Sequence, residues 1–267
     1  MGDNSAIVSN AVFNAPDEYQ GFDIWLGVYG FAFQIFGDFA GYSSIARGTS
    51  LLFGISLNRN FHNPYFAVSP SDFWKRWHIS LSSWLRDYLY ISLGGNRKGK
   101  LLTMRNLYLT MLLGGLWHGA SWNFVLWGAF HGTILVIYHS FWPDKKVERT
   151  GYRKLISVFI MFQLTCFSWI LFRVNELQDV KVILNQMIVF GGKAITDYVF
   201  LSKFNIVLFA ILLTSLLGYN LLLEKSNDEF VSRNWNWFYK SVFASFLFGM
   251  ILLFGVVENF EFIYFQF

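Results

Sequence analysis

Charge is scarce in this chain of 267 residues. Asp, Glu, Lys and Arg make up 14% of it, against about 25% in an ordinary soluble domain. Cysteine is nearly absent. Cys166 stands alone, which excludes an internal disulfide framework and a cysteine-based zinc cluster. No HExxH stretch occurs, and residues 106–143 hold no Asp or Glu to complete a common ligand set, so no metal is expected. The GxSxG elbow of a serine nucleophile is missing. So are the Walker A and Rossmann glycine patterns, and no nucleic-acid partner is expected. The first twenty residues contain no Lys or Arg and no apolar core of a secretion signal. They read as a loop, and the chain is expected to begin inside a longer protein.

What is present is apolar and aromatic: 54% hydrophobic residues, with 31 Phe and 11 Trp. This is the profile of an all-α, polytopic membrane helical bundle. Residues 155–172, 204–223 and 241–257 are free of Asp, Glu, Lys and Arg, and each suits one span of about 20 residues. A weaker run covers 24–37 and resumes at 39–46. Residues 106–143 are uncharged for 38 positions, too long for one crossing. A hairpin or re-entrant pair is expected there, with Gly114, Gly115, Gly119 and Gly128 as places to bend or pack closely. About six crossings result. Segments 46–105 and 144–154 are rich in Lys and Arg and belong on the cytoplasmic side. Residues 1–23 carry four acids and no base. They are assigned as an extracytoplasmic loop, ahead of a transmembrane core over 24–267.

Residues 69–100 read as an interfacial helix followed by a turn. Ser69 is an N-cap candidate, Pro70 suits the first helical position, and Asp72 stands at capping-box spacing. The helix is expected to reach about Ser92 and end at Gly94-Gly95. Within it Asp72 can pair with Arg76, and Phe73 can pack on Trp77. The turn Gly94-Gly95-Asn96-Arg97-Lys98-Gly99-Lys100 has two readings. It contacts anionic lipid, or its amides and cations bind phosphate groups of an acyl carrier.

Two histidines are the main chemical candidates. His118 lies between Gly115 and Gly119, beside Trp117, in membrane-grade sequence. An ionisable group there marks a functional site by default. One reading is a helix–helix hydrogen bond. The other is a neutral imidazole acting as general base. As the thirteenth residue of its run it would lie about 19 Å in from the cytoplasmic edge. His78 stays in the basic segment, nearer that side. His131 and His139 read as packing or hydrogen-bonding residues, and His62 as a loop residue.

Four stretches together resemble a known family. They are Asp38-Phe39 with Gly41-Tyr42-Ser43, Asn60-Phe61 with Pro64-Tyr65, FWKRWHISLSSWLRDYLYISLGGN at 73–96, and GGLWHGASWNFVLWGAFHG at 114–132. They are similar to membrane-bound O-acyltransferases, and within these to the bacterial branch of alginate O-acetylation membrane proteins. The closing Phe262–Phe267 is similar to that branch's C-terminus. The resemblance covers roughly residue 20 onward and departs at Ala40 and Ser44. It implies a multi-helix fold with a funnel through the cell inner membrane. It implies acetyl-CoA as cytoplasmic donor, an exported polysaccharide as destination, and an extracytoplasmic acetyltransferase partner. Family members are longer at the N-terminus, so this chain would correspond to their C-terminal portion. By motif, His118 is the implied catalytic histidine and His78 the second signature residue. Arg76, Arg97 and Lys98 are expected to hold the anionic donor, and no tightly bound cofactor is expected. D-alanyl transfer to a cell-envelope polymer, a proton-relaying transport component and an inert fragment are the alternatives.

Overall fold

The computed structural model describes residues 2–142, 150–189 and 235–255, with single positions at 214, 218 and 221. Among these residues the regular structure is helical and no strand occurs. The helices are α1 (Gly2–Asn14), α2 (Phe22–Leu52), α3 (Pro70–Arg76), α4 (Ile79–Trp84), α5 (Lys100–His118), α6 (Trp122–Phe141), α7 (Gly151–Arg173), α8 (Leu177–Met187) and α9 (Trp237–Phe254). Helices α6 and α7 are long and apolar enough to cross a membrane, with mean hydropathy 1.4 and 2.1. The span expected at 204–223 lies outside the described residues except at the three single positions. Positions 144–149 and the closing 262–267 also lie outside them.

The long uncharged run is a hairpin. Helix α5 ends at His118, the chain turns through Gly119–Ser121, and Ser121 caps α6 by accepting from the Asn123 N–H. Lipid is as apolar as a leucine surface, so membrane helices associate through close packing more than through a hydrophobic drive. Glycine provides that closeness here. A Cβ on Gly115 would stand 2.2 Å from the Phe124 carbonyl oxygen, and one on Gly128 would stand 2.5 Å from that of Met111. At the open end Lys100 Nζ donates to the Ser140 carbonyl. Two buried hydroxyls bond back to their own helices, Thr110 Oγ1 of α5 to the Asn106 carbonyl and Thr165 Oγ1 of α7 to the Met161 carbonyl.

The N-terminal segment departs from expectation. Much of residues 1–23 is helix α1, not a loop. Its small residues Gly2, Ser5 and Ser9 are buried, and Val12 packs on Gly27 while Ser5 and Ser9 back onto Gly30. These contacts run in opposite order along the two helices, so α1 and α2 form a second antiparallel hairpin. Small residues meeting small residues stabilise it, a signal hidden by the weak apolar content of α1.

The interfacial helix also departs from expectation. Ser69 caps α3 as expected, its Oγ accepting from the Asp72 N–H at 3.1 Å. Arg76 pairs with Asp72 at 2.9 Å, and Phe73 stacks on Trp77. The helix then stops. Trp77 is extended and His78 takes a left-handed backbone with φ 42° and ψ 58°. A new helix, α4, begins at Ile79 and passes into a π-helical turn over Leu85–Tyr90. Local spacing favoured one helix; contacts from residues 60–62, described below, break it.

Candidate active site

The chain runs from His78 toward the Gly94–Gly99 turn, reverses, and returns along α5. Leu85 therefore packs against Gly114, which brings His78 toward the His118 end of α5. The two imidazoles lie within electrostatic range of each other. The π-helical turn that follows α4 lies antiparallel to α5, with Leu85 opposite Gly114 and Gly95 opposite Asn106.

An aromatic wall encloses this point. The His118 ring meets Trp127 and Phe172 edge-on, each at 5.2 Å between centroids. Trp127 stacks near Trp169, and Trp169 contacts Trp77, the neighbour of His78. The His78 ring meets Phe39 of α2 edge-on at 4.7 Å. Five helices thus converge: α2, α4, α5, α6 and α7. Asn123 Nδ2 donates to the Val174 carbonyl and ties the start of α6 to the end of α7 beside His118.

Both histidines are half-buried. Burial pushes the His78 imidazole down to about 4, with a hydrogen bond to its own backbone acting weakly the other way. His78 is therefore neutral near pH 7 and has a free lone pair for hydrogen bonding or proton transfer. Ser80 Oγ stands 3.4 Å from its Nδ1.

The other expected residues fall elsewhere. Arg76 directs Nε to Asp72 Oδ1 and Nη1 to the His62 carbonyl. It braces the α3 corner. Arg97 and Lys98 are exposed on the glycine turn, where Gly94, Gly95 and Gly99 all have positive φ. That turn lies at one end of α5 and His118 at the other, separated by 19 residues, or about 28 Å of helix. His131 is fully buried and stacks on Phe73, and neither ring nitrogen has a hydrogen-bond partner among the described residues. It packs the core, with Trp127 between its ring and that of His118. Among the described residues no three His, Cys, Asp or Glu side chains converge as a metal site.

Several groups around the site carry no signal of their role in the sequence. Trp127 and Phe172 wall His118 and Trp169 backs them, yet each looks like ordinary apolar filler in its run. A cleft of about 460 Å3 opens between α3, the α4 region and the α5–α6 hairpin. Lys75, Arg86, Asn96 and Thr103 line it beside Trp74 and Leu107. Its cations alternate with aromatic residues, which made them look like an interfacial anchor.

The model of the membrane-bound O-acyltransferase family matches residues 18–175, and so includes both histidines and the helices that carry them. The chain belongs to this family. Among its relatives in the family it is 45% identical over 197 residues to the probable alginate O-acetylase AlgI of Azotobacter vinelandii, covering 74% of this chain and 39% of that protein. It is 36% identical over 192 residues to a peptidoglycan O-acetyltransferase of Helicobacter pylori, covering 72% and 36%. It is 32% identical over 158 residues to a teichoic acid D-alanyltransferase of Bacillus subtilis, covering 55% and 40%. The chain thus spans about two fifths of the length of these curated relatives. As a family member it is an all-α membrane protein.

Proposed function

We propose that this chain carries the catalytic centre of a membrane O-acetyltransferase. Acetyl-CoA on the cytoplasmic side is the donor, and hydroxyls of an exported polysaccharide such as alginate are the destination. The setting is the bacterial inner membrane, crossed several times, with lipid around the bundle and an extracytoplasmic acetyltransferase partner beyond it. The observation that supports this reading most is the pairing of His78 and His118. They are 40 positions apart in sequence, yet they come within electrostatic range of each other, and a run of ring contacts through Trp77, Trp169 and Trp127 leads from the neighbour of His78 to His118.

His118 is the general base. It takes the proton of the acceptor hydroxyl as that oxygen attacks the thioester carbonyl, and it returns the proton to the departing sulfur. His78, neutral at working pH, orients the donor or relays the proton. A thioester is already activated, so positioning and proton transfer carry the chemistry. Arg97 and Lys98 attract the phosphates of the donor at the glycine turn. Lys75 and Arg86 extend that field into the cleft, while Arg76 holds the corner that presents His78.

The test is His118→Ala in the full-length protein, assayed by acetyl transfer in membranes. The rate is expected to fall by about 10²- to 10⁴-fold, the size of a general-base contribution. A wild-type rate overturns the assignment.

D-alanyl transfer to a cell-envelope polymer is the second reading. The D-alanyltransferase relative favours it. Labelled acetyl-CoA and a D-alanyl-loaded carrier protein separate the two, because only the true donor passes its label to polymer.

A further inference from the structure

His78 is held in a costly backbone shape. Among the described residues only it and Asn63 have positive φ without being glycine. A left-handed residue other than glycine is uncommon, and the conformation persists only when its surroundings impose it.

Asn60 supplies most of that constraint. Its backbone carbonyl accepts from the Ile79 N–H at 2.9 Å. Its side-chain Oδ1 accepts from the Ser80 N–H at 3.1 Å. Its Nδ2 donates to Ser43 Oγ of α2 at 3.4 Å. Two residues on, the His62 N–H donates to the Arg76 carbonyl, and Arg76 Nη1 donates to the His62 carbonyl. Residues 60–62 therefore pair with 76–80 on both sides of His78. Ser43 is buried and fixes the clamp to the helix whose Phe39 packs on the His78 ring. Ser80, whose N–H Asn60 holds, also approaches the imidazole.

We infer that Asn60 is a positioning residue of the acyl-transfer site: anchored on Ser43, it holds the backbone of residues 78–80 and so fixes the His78 imidazole between Phe39 and Ser80, within electrostatic range of His118. This rests on the reading of the two histidines as the transfer centre. Asn60 touches neither donor nor acceptor and acts through His78. The extended stretch after α2, which looks like a connector, is on this view part of the site's frame. The gain is directional precision, since a displacement of about 1 Å at a reacting group can lower a rate by about a hundredfold.

The experiment compares Asn60→Ala, Asn60→Asp and Ser43→Ala in the full-length protein, each alone and with His78→Ala. Acetyl transfer is resolved into kcat and the donor KM, and folding is followed by membrane yield and thermal unfolding in detergent. Asn60→Ala is expected to lower kcat by about ten- to a hundredfold and to leave the donor KM close to wild type. Asn60→Asp keeps the acceptor for the Ser80 N–H and is expected to recover much of the loss. In the His78→Ala background, Asn60→Ala is expected to add nothing, because residues that act as one unit are not additive. A wild-type kcat for Asn60→Ala beside an impaired His78→Ala overturns the positioning role and leaves the histidine site standing. An equal loss in both backgrounds also overturns it. A wild-type His78→Ala overturns the site reading and the role of Asn60 with it. Should Asn60→Ala fail to accumulate, Ser43→Ala removes only the anchor, and its smaller expected drop carries the same comparison.

Discussion

The two histidines are placed by opposite means. His118 ends a regular helix in a hairpin packed glycine on glycine, so repetitive short-range geometry sets its position. His78 sits at a break in a helix, in a left-handed backbone held by side chains from distant segments. The first region is rigid because nothing but glycine fits at its crossing. The second is rigid because several polar groups agree on one conformation. A site built from both combines a fixed wall with a steered side chain.

The hairpin should break first and most completely. Gly115→Leu places a side chain where a Cβ alone would come within 2.2 Å of the Phe124 carbonyl oxygen and 3.1 Å of Gly128 Cα. Backbone cannot yield as a flexible side chain does. The expected cost exceeds the usual overpacking range of about 1–3 kcal/mol. Membrane yield and detergent unfolding would show loss of the folded protein. A wild-type midpoint would mean that the α5–α6 crossing is looser than described.

The His78 side of the comparison is sharpened by pH. The folded imidazole is pushed down to about 4 from an ordinary value of 6.5 by burial. Between these values the unfolded chain binds a proton that the folded chain does not. Stability is therefore full above about pH 6.5 and falls as pH drops toward about 4, by an amount on the order of 3 kcal/mol. Below the folded value no further loss comes from this group. Unfolding midpoints measured across this window should slope less steeply for His78→Gln than for the wild type. Equal slopes would mean that the imidazole is not buried as a neutral group.

A smaller effect is expected at the corner that supports His78. Asp72→Asn removes the ion pair with Arg76 and weakens acceptance from the Val68 N–H. The pair is partly exposed, so the expected loss is about 1 kcal/mol. Acetyl transfer should fall in proportion if this corner steers His78, and should not fall if Asn60 alone does so.

Much of the site's local grammar was legible. The Ser69 cap, the Asp72–Arg76 pair and the Phe73–Trp77 stack follow from spacing along one helix, and all three are present. The hairpin in 106–143 followed from length alone. The break at His78 did not, because Trp77-His78-Ile79 carries no proline or glycine to mark it. Its cause lies near residue 60. Helix α1 was hidden for a related reason: its buried face is Gly2, Ser5 and Ser9, which read as loop until Gly27 and Gly30 are placed opposite.

The sequence by itself determined the class of protein, the helical periods, the caps and the candidate histidines, because each depends on residues a few positions apart. Only the tertiary structure decided that His78 and His118 come within electrostatic range of each other, and that Arg76 braces a corner. Those outcomes depend on where the chain reverses and on which distant backbone groups need partners. In apolar surroundings such groups must be satisfied. Asn60 and Ser43 satisfy them from far along the chain, and no local pattern records it.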